Sequence, residues 1–152
     1  MDLLQHIFSS PSLPALFVLS FLAATVLPLG SEWLLVLMVL EGFPVTRVIA
    51  TATAGNFLGA CTTYLIGLWG STFLIKKILR IDAPQLARAE QLYYTYGSWS
   101  LLLSWVPIIG DPLCLAAGIF RTQPFRFAAL VFVGKFFRYA TLAVLTLQGT
   151  GY

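Results

Sequence analysis

Two apolar stretches, each broken by proline and each carrying a single acid, constrain this chain more than any other feature. From Ser12 to Leu40 the only charged residue is Glu32, and the run is interrupted at Pro28-Leu29-Gly30. From Trp99 to Phe120 the only charged residue is Asp111, and the interruptions are Pro107, Gly110 and Pro112. A helix needs about 20 apolar residues to cross a bilayer, and the pieces on either side of each break fall short of that. Two short helices meeting at a Pro/Gly break inside the membrane describe a re-entrant hairpin. Lipid offers no hydrogen-bond partners, so the backbone groups freed at each break must be satisfied by protein or trapped water.

The segments between the breaks read differently. Val48 to Ile75 carries no charge and predicts one full transmembrane helix. Phe127 to Leu147 predicts a last spanning helix, although it contains Lys135 and Arg138. Between them, Lys76 to Ser98 holds four basic and two acidic residues and predicts a polar connector. A short amphipathic helix starting near Pro84 and lying at the membrane surface fits it. With 59% apolar and only 10% charged residues, against about a quarter charged in soluble domains, the chain cannot cover a globular surface with polar groups. The reading is therefore a single all-α membrane domain over 1–152, with one unit at 11–75, the connector at 76–98 and a second unit at 99–149. The apolar run from Leu13 to Leu27 lacks the positive region that precedes a signal-peptide core. The first basic residue is Arg47, so the segment is expected to stay in the mature protein.

The two units match. A shift of 79 positions places Pro28 on Pro107, Glu32 on Asp111, Arg47 on Arg126, Gly55 on Gly134 and Phe57 on Phe136, with no gap. Leu and Ala matches carry little weight in an apolar chain, but a proline, an acid, an arginine and a glycine in one register point to duplication. Each unit would be a hairpin that returns to its own side, followed by one crossing. An odd number of crossings per unit leaves the copies inverted in the membrane, as in many transporters. Six basic residues (Lys76, Lys77, Arg80, Arg88, Arg121 and Arg126) lie between the spanning helices, against Arg47 alone on the other face. The positive-inside rule then places the connector in the cytoplasm and both termini on the opposite side.

Glu32 and Asp111 each follow a proline by four residues. Acids inside a bilayer are costly and commonly mark ion, proton or substrate pathways. At the repeat interface, partly desolvated, such carboxyls are candidate proton carriers. The competing explanation is that each caps a short helix by accepting backbone N–H bonds. Lys135 and Arg138, three apart, share a helix face. They either snorkel to the surface or pair with the acids or with a lipid phosphate, for which a guanidinium offers a planar fork. Asn56, the repeat mate of Lys135, is polar and mid-helix and is expected to face the interior. Gly55 and Gly59 give a close-packing signal. Cys61 and Cys114 lie in apolar runs and read as packed thiols, with no metal cluster in prospect. A net charge of +3 without interleaved basic and aromatic residues argues against nucleic acid. No nucleophile–base set or nucleotide loop appears, so no catalytic residue and no cofactor are assigned.

The segment Thr25-Val26-Leu27-Pro28-Leu29-Gly30-Ser31-Glu32, with Gly55-Asn56 and Gly59, Tyr64 and Gly67, resembles the DedA family. The run Tyr96-Gly97, Leu102-Leu103-Ser104-Trp105-Val106-Pro107-Ile108-Ile109-Gly110-Asp111-Pro112, then Ala117-Gly118 and Gly134-Lys135 with Arg138-Tyr139, is closer still. It looks like the short YqaA-like branch, and the resemblance covers nearly the whole chain. It implies a bacterial inner-membrane protein with two inverted re-entrant hairpins. The wider SNARE-associated or VTT-domain family is linked to lipid translocation. Some bacterial members are implicated in flipping undecaprenyl phosphate or phosphatidylethanolamine with proton or sodium gradients. The family's functional acids lie at the first hairpin, which carries over to Glu32. Its second hairpin usually has arginines flanking the proline, where this sequence has Ser104 and Gly110, leaving Arg121, Lys135 and Arg138 to supply positive charge.

The expected function is a small membrane transporter moving a lipid or amphiphilic anion between leaflets, its partners being membrane lipids. A chain of this size is compatible with a homo-oligomer. Here Glu32 and Asp111 are the gating or proton-linked acids, and Lys135 and Arg138 the anion-facing charges. The runner-up is a proton-coupled exporter of a small cationic or hydrophobic solute, which the acids alone would serve. A non-transporting assembly protein is the third class and would tolerate Asn or Gln at the acids.

Overall fold

The computed structural model describes residues 11–25, 31–70, 82–106 and 108–149. Pro28, Gly30 and Pro107 of the expected breaks, and Lys76, Lys77 and Arg80 of the connector, lie outside the described residues. Within them the chain is helical: α1 (Leu13–Ala23), α2 (Ser31–Leu40), α3 (Val45–Trp69), α4 (Ala83–Tyr96), a 3-10 segment (Gly97–Trp105), α5 (Gly110–Ile119) and α6 (Pro124–Gly149).

Helix starts follow local chemistry. The Ser12 hydroxyl accepts the Ala15 N–H at 3.4 Å, with Pro14 in the first turn of α1. At α4 the Gln85 side chain accepts the Asp82 N–H at 3.1 Å, and Pro84 stands in the first turn. Proline is tolerated in a first turn, where its missing N–H has no intrahelical acceptor. The same reason corrects one expectation: Pro112 is the third residue of α5 and opens that helix rather than breaking it. The interruption itself lies between Trp105 and Gly110.

Helices α1, α2 and α5 have 11, 10 and 10 residues, about 15 to 17 Å at 1.5 Å per residue, roughly half the hydrocarbon thickness. The 26 residues of α6 extend about 39 Å. Among the described residues this is the one helix both long and apolar enough to cross a membrane. α3, expected to span as well, is nearly as long at 25 residues, but the middle of its buried face is small and largely polar: Thr53, Gly55, Asn56, Gly59, Ala60 and Thr63. That face is covered by protein, because α3 packs against α1, α2, α5 and α6.

The packing follows a simple rule. α1 lies on α3 and the 3-10 segment on α6, each against the long helix of its own half. α2 lies on α6 and α5 on α3, each against the long helix of the other half. α2 and α5 begin 79 positions apart and end 79 apart, and α3 and α6 begin 79 apart. The halves differ in one arm, where the second has a nine-residue 3-10 segment in place of an α-helix. Two apolar clusters result. One joins Leu16, Leu35, Met38, Val48 and Ala143; the other joins Ala60, Leu101, Leu113, Cys114, Phe127 and Val131, with Cys61 at its margin.

α2 and α5 also end alike. The Phe43 N–H reaches back to the Met38 carbonyl at 3.0 Å and the Thr122 N–H to the Ala117 carbonyl at 2.9 Å, the bond pattern of a left-handed C-terminal cap. The left-handed residue is Gly42 (φ 83°) in the first half and Arg121 (φ 52°) in the second. No atom lies within 4 Å of a methyl placed on Gly42, so a side chain there meets only conformational strain. Gly42→Ala is expected to lower stability by about 1 kcal/mol, and Arg121→Gly to leave it unchanged or raise it by up to about 1 kcal/mol. Denaturation in detergent, followed by circular dichroism, reads both.

Candidate functional site

Glu32 and Asp111 are the second residues of α2 and α5, where the positive end of the helix dipole favours an acid. Among the described residues no backbone N–H donates to either carboxylate. Each is instead paired with a cation of α6. Lys135 Nζ donates to Asp111 Oδ1 at 3.3 Å, and Arg138 Nη2 pairs with Glu32 Oε1. The spacing of three places both cations on one face of α6. Lys135 is only 1% exposed, so it points into the bundle rather than snorkelling outward. It lies 11 residues into α6, about 16 Å from that helix's start, near the middle of a bilayer-crossing length.

Both pairs line one cavity of about 10 Å³, enough for one water molecule. Beside the four charged groups, Ser31, Asn56, Ser104 and Gly110 line it. Asn56 faces inward as expected: its Nδ2 donates to the Ser20 carbonyl on α1 at 3.1 Å. Its Oδ1 and the Ser104 hydroxyl have no hydrogen-bond partner among the described residues. An unpaired buried polar atom costs about 1–3 kcal/mol, so two of them facing one space mark it as a polar site within an apolar bundle.

Two glycines make this geometry fit. A methyl on Gly110 would collide with the Ser104 carbonyl oxygen, and one on Gly134 would stand 2.8 Å from Ser104 Oγ. Bare backbone at both positions lets the end of the 3-10 segment sit between the start of α5 and the middle of α6. Ser104 therefore shares a site with Asp111 and Lys135.

Arg121 does not join the cluster. It lies beyond the C-terminal end of α5, about 15 Å along the axis from Asp111, and it does not line the cavity. The hydrogen bond between Ser31 Oγ and Tyr139 Oη, 2.8 Å, was not foreseen. It crosses from α2 to α6 beside the Glu32–Arg138 pair, and Tyr139 is fully buried. Its signal was spacing: Lys135, Arg138 and Tyr139 stand at i, i+3 and i+4, one inward face.

Residues 10–148 match the VTT domain. Inner membrane protein YqaA of Escherichia coli K12 is 40% identical over 139 residues, covering 91% of this chain and 93% of that protein. An uncharacterized protein of Haemophilus influenzae is 37% identical over 143 residues, covering 89% of this chain and 87% of that one. No solved structure matches.

Proposed function

The chain belongs to the VTT-domain family, also called DedA, and we propose on that footing that it moves a phospholipid or lipid phosphate between the leaflets of a bacterial inner membrane. The observation that carries this reading is the double pair partway along α6, with Glu32 and Asp111 held by Arg138 and Lys135 around one polar cavity. A phosphate entering there exchanges with the carboxylates for the same two cations. A proton taken up by either acid releases its cation to the phosphate, which would couple movement to a proton gradient.

The inverted-repeat reading supports the same function. Half-length helices pack on the long helix of the opposite half, and their bounds recur at the 79-position interval. Two re-entrant hairpins approaching from opposite faces would bring their tips together at the Glu32 and Asp111 ends. The cavity between them would then be reached alternately from either side. The small-cation exporter is the weaker reading, because both acids already have cationic partners.

Vesicles containing the purified protein and fluorescent phospholipids test this directly. Dithionite quenching beyond the outer-leaflet fraction is expected for the wild type. Lys135→Ala with Arg138→Ala is expected to slow that excess quenching at least tenfold, since each lost charge–phosphate contact costs about 1.5–3 kcal/mol. Wild-type rates in the double variant would remove the two cations from the path. Quenching no greater than in protein-free vesicles, with anionic and zwitterionic lipids and an isoprenoid phosphate alike, would favour the exporter.

A further inference from the structure

A second groove lies apart from the ion-paired cavity, where the start of the 3-10 segment meets the start of α6. Its volume is about 310 Å³, and Ser98, Trp99, Phe125, Arg126, Ala129 and Leu130 line it. Trp99 is 70% exposed and Phe125 78%, two large aromatic side chains left uncovered in the same groove as a guanidinium. No carboxylate lines the groove. Among the described residues Arg126 has neither an ion pair nor a hydrogen-bond partner. Its charge therefore meets an incoming anion unopposed.

Depth places the groove. Arg126 is the third residue of α6, about 3 Å from its start, whereas Lys135 is about 16 Å in. A tryptophan at the mouth of a bilayer-crossing helix fits the level of the headgroups, where amphipathic rings collect. The walls are divided in the same sense as a lipid. The guanidinium and the Ser98 hydroxyl supply donors, while Ala129, Leu130 and the two rings supply an apolar floor and sides.

We propose that this groove seats the headgroup of an anionic membrane phospholipid. The Arg126 guanidinium forks onto the phosphodiester oxygens. Trp99 and Phe125 bracket the glycerol and upper acyl carbons. The seat binds lipid whether or not the protein moves it, and the midplane pairs take no part in it.

A variant carrying Trp33→Phe, Trp69→Phe and Trp105→Phe leaves Trp99 as the sole indole. In phosphatidylcholine nanodiscs, energy transfer from Trp99 to dansyl-labelled phosphatidylglycerol is compared with transfer to dansyl-labelled phosphatidylcholine. The anionic lipid is expected to be preferred about fivefold, the difference one basic residue makes near a surface. Arg126→Gln is expected to abolish the preference and Arg126→Lys to keep part of it. If the three-phenylalanine variant does not fold, native mass spectrometry of phosphatidylglycerol retained by wild type and by Arg126→Gln reads the same ratio. Equal transfer from both lipids, or a preference that persists in Arg126→Gln, overturns the seat. So does its loss in Lys135→Ala with Arg138→Ala, which would put the binding charge at the midplane. Binding through Arg126 without any translocation sustains the seat and removes the transport reading.

Discussion

Asp111→Asn is expected to destabilise the protein by about 3 kcal/mol, and Lys135→Met by about 1 kcal/mol or less. The asymmetry follows from burial across one ion pair. The side chain of Lys135 is 2% exposed and that of Asp111 30%. Removing the carboxylate leaves an ammonium sealed in the bundle without its ion-pair partner, the situation in which breaking a buried pair costs most. Removing the ammonium leaves a carboxylate with nearly a third of its surface open and the positive end of α5 beside it. Methionine also fills much of the lysine's volume, and a pair replaced by apolar side chains is often close to neutral. The double variant Asp111→Asn with Lys135→Met should then be more stable than Asp111→Asn alone. Denaturation in detergent measures all three. Equal losses in the two single variants would mean that Lys135 is hydrated and the pair superficial. The expectation also bears on transport assays: a dead Asp111→Asn protein is uninformative unless its fold is checked, whereas Lys135→Met removes the same pair with the fold intact.

Much of this site was readable from the residue pattern. An acid four residues after a proline, twice, in an otherwise uncharged run was enough to single out Glu32 and Asp111. A lysine and an arginine three apart in a spanning helix could pair only on one face, and the structure puts that face inward. Asn56 was legible as the polar repeat mate of Lys135. What pattern could not give was the partner assignment. Nothing in the spacing says that Arg138 reaches across to α2 while Lys135 stays with α5, because that depends on how each half packs on the other's long helix. The 3-10 form of Gly97–Trp105 was equally hidden, since an apolar run broken by proline reads the same for either helix type. Pro112 misled for a related reason: proline looks like a breaker wherever the start of the next helix is unknown. Arg121 was drawn into the candidate cation set by charge alone. Its left-handed backbone places it in the turn after α5, at the position that Gly42, 79 residues earlier, holds after α2.

The tightest helix contact in the bundle gives the second large effect. Gly118→Ala on α5 and Gly67→Ala on α3 are each expected to cost about 3 kcal/mol, the upper end of what added core volume usually costs. A methyl on Gly118 would overlap the Tyr64 carbonyl oxygen and stand 2.9 Å from the Gly67 Cα, and one on Gly67 would overlap the Leu115 carbonyl oxygen. These neighbours are backbone, so no side chain can rotate away and the two helices must separate. Small residues that allow such approach are what membrane helices use to associate, since lipid gives no hydrophobic drive between them. Separation also pulls on Tyr64, which donates to the Thr122 carbonyl and stacks on Phe127 with ring centroids 4.3 Å apart. α5 carries Asp111 at its other end, so a shift of this helix displaces the Lys135 pair and, on the proposed function, should depress lipid movement along with stability. Gly149→Ala is the control, because nothing lies within 4 Å of a methyl there. Its midpoint in detergent should match the wild type within error, while Gly118→Ala and Gly67→Ala should unfold earlier or elute as aggregates. A Gly118→Ala protein as stable as the wild type would mean that α3 and α5 do not meet backbone to backbone, and the arrangement that brings Asp111 to Lys135 would have to be redrawn.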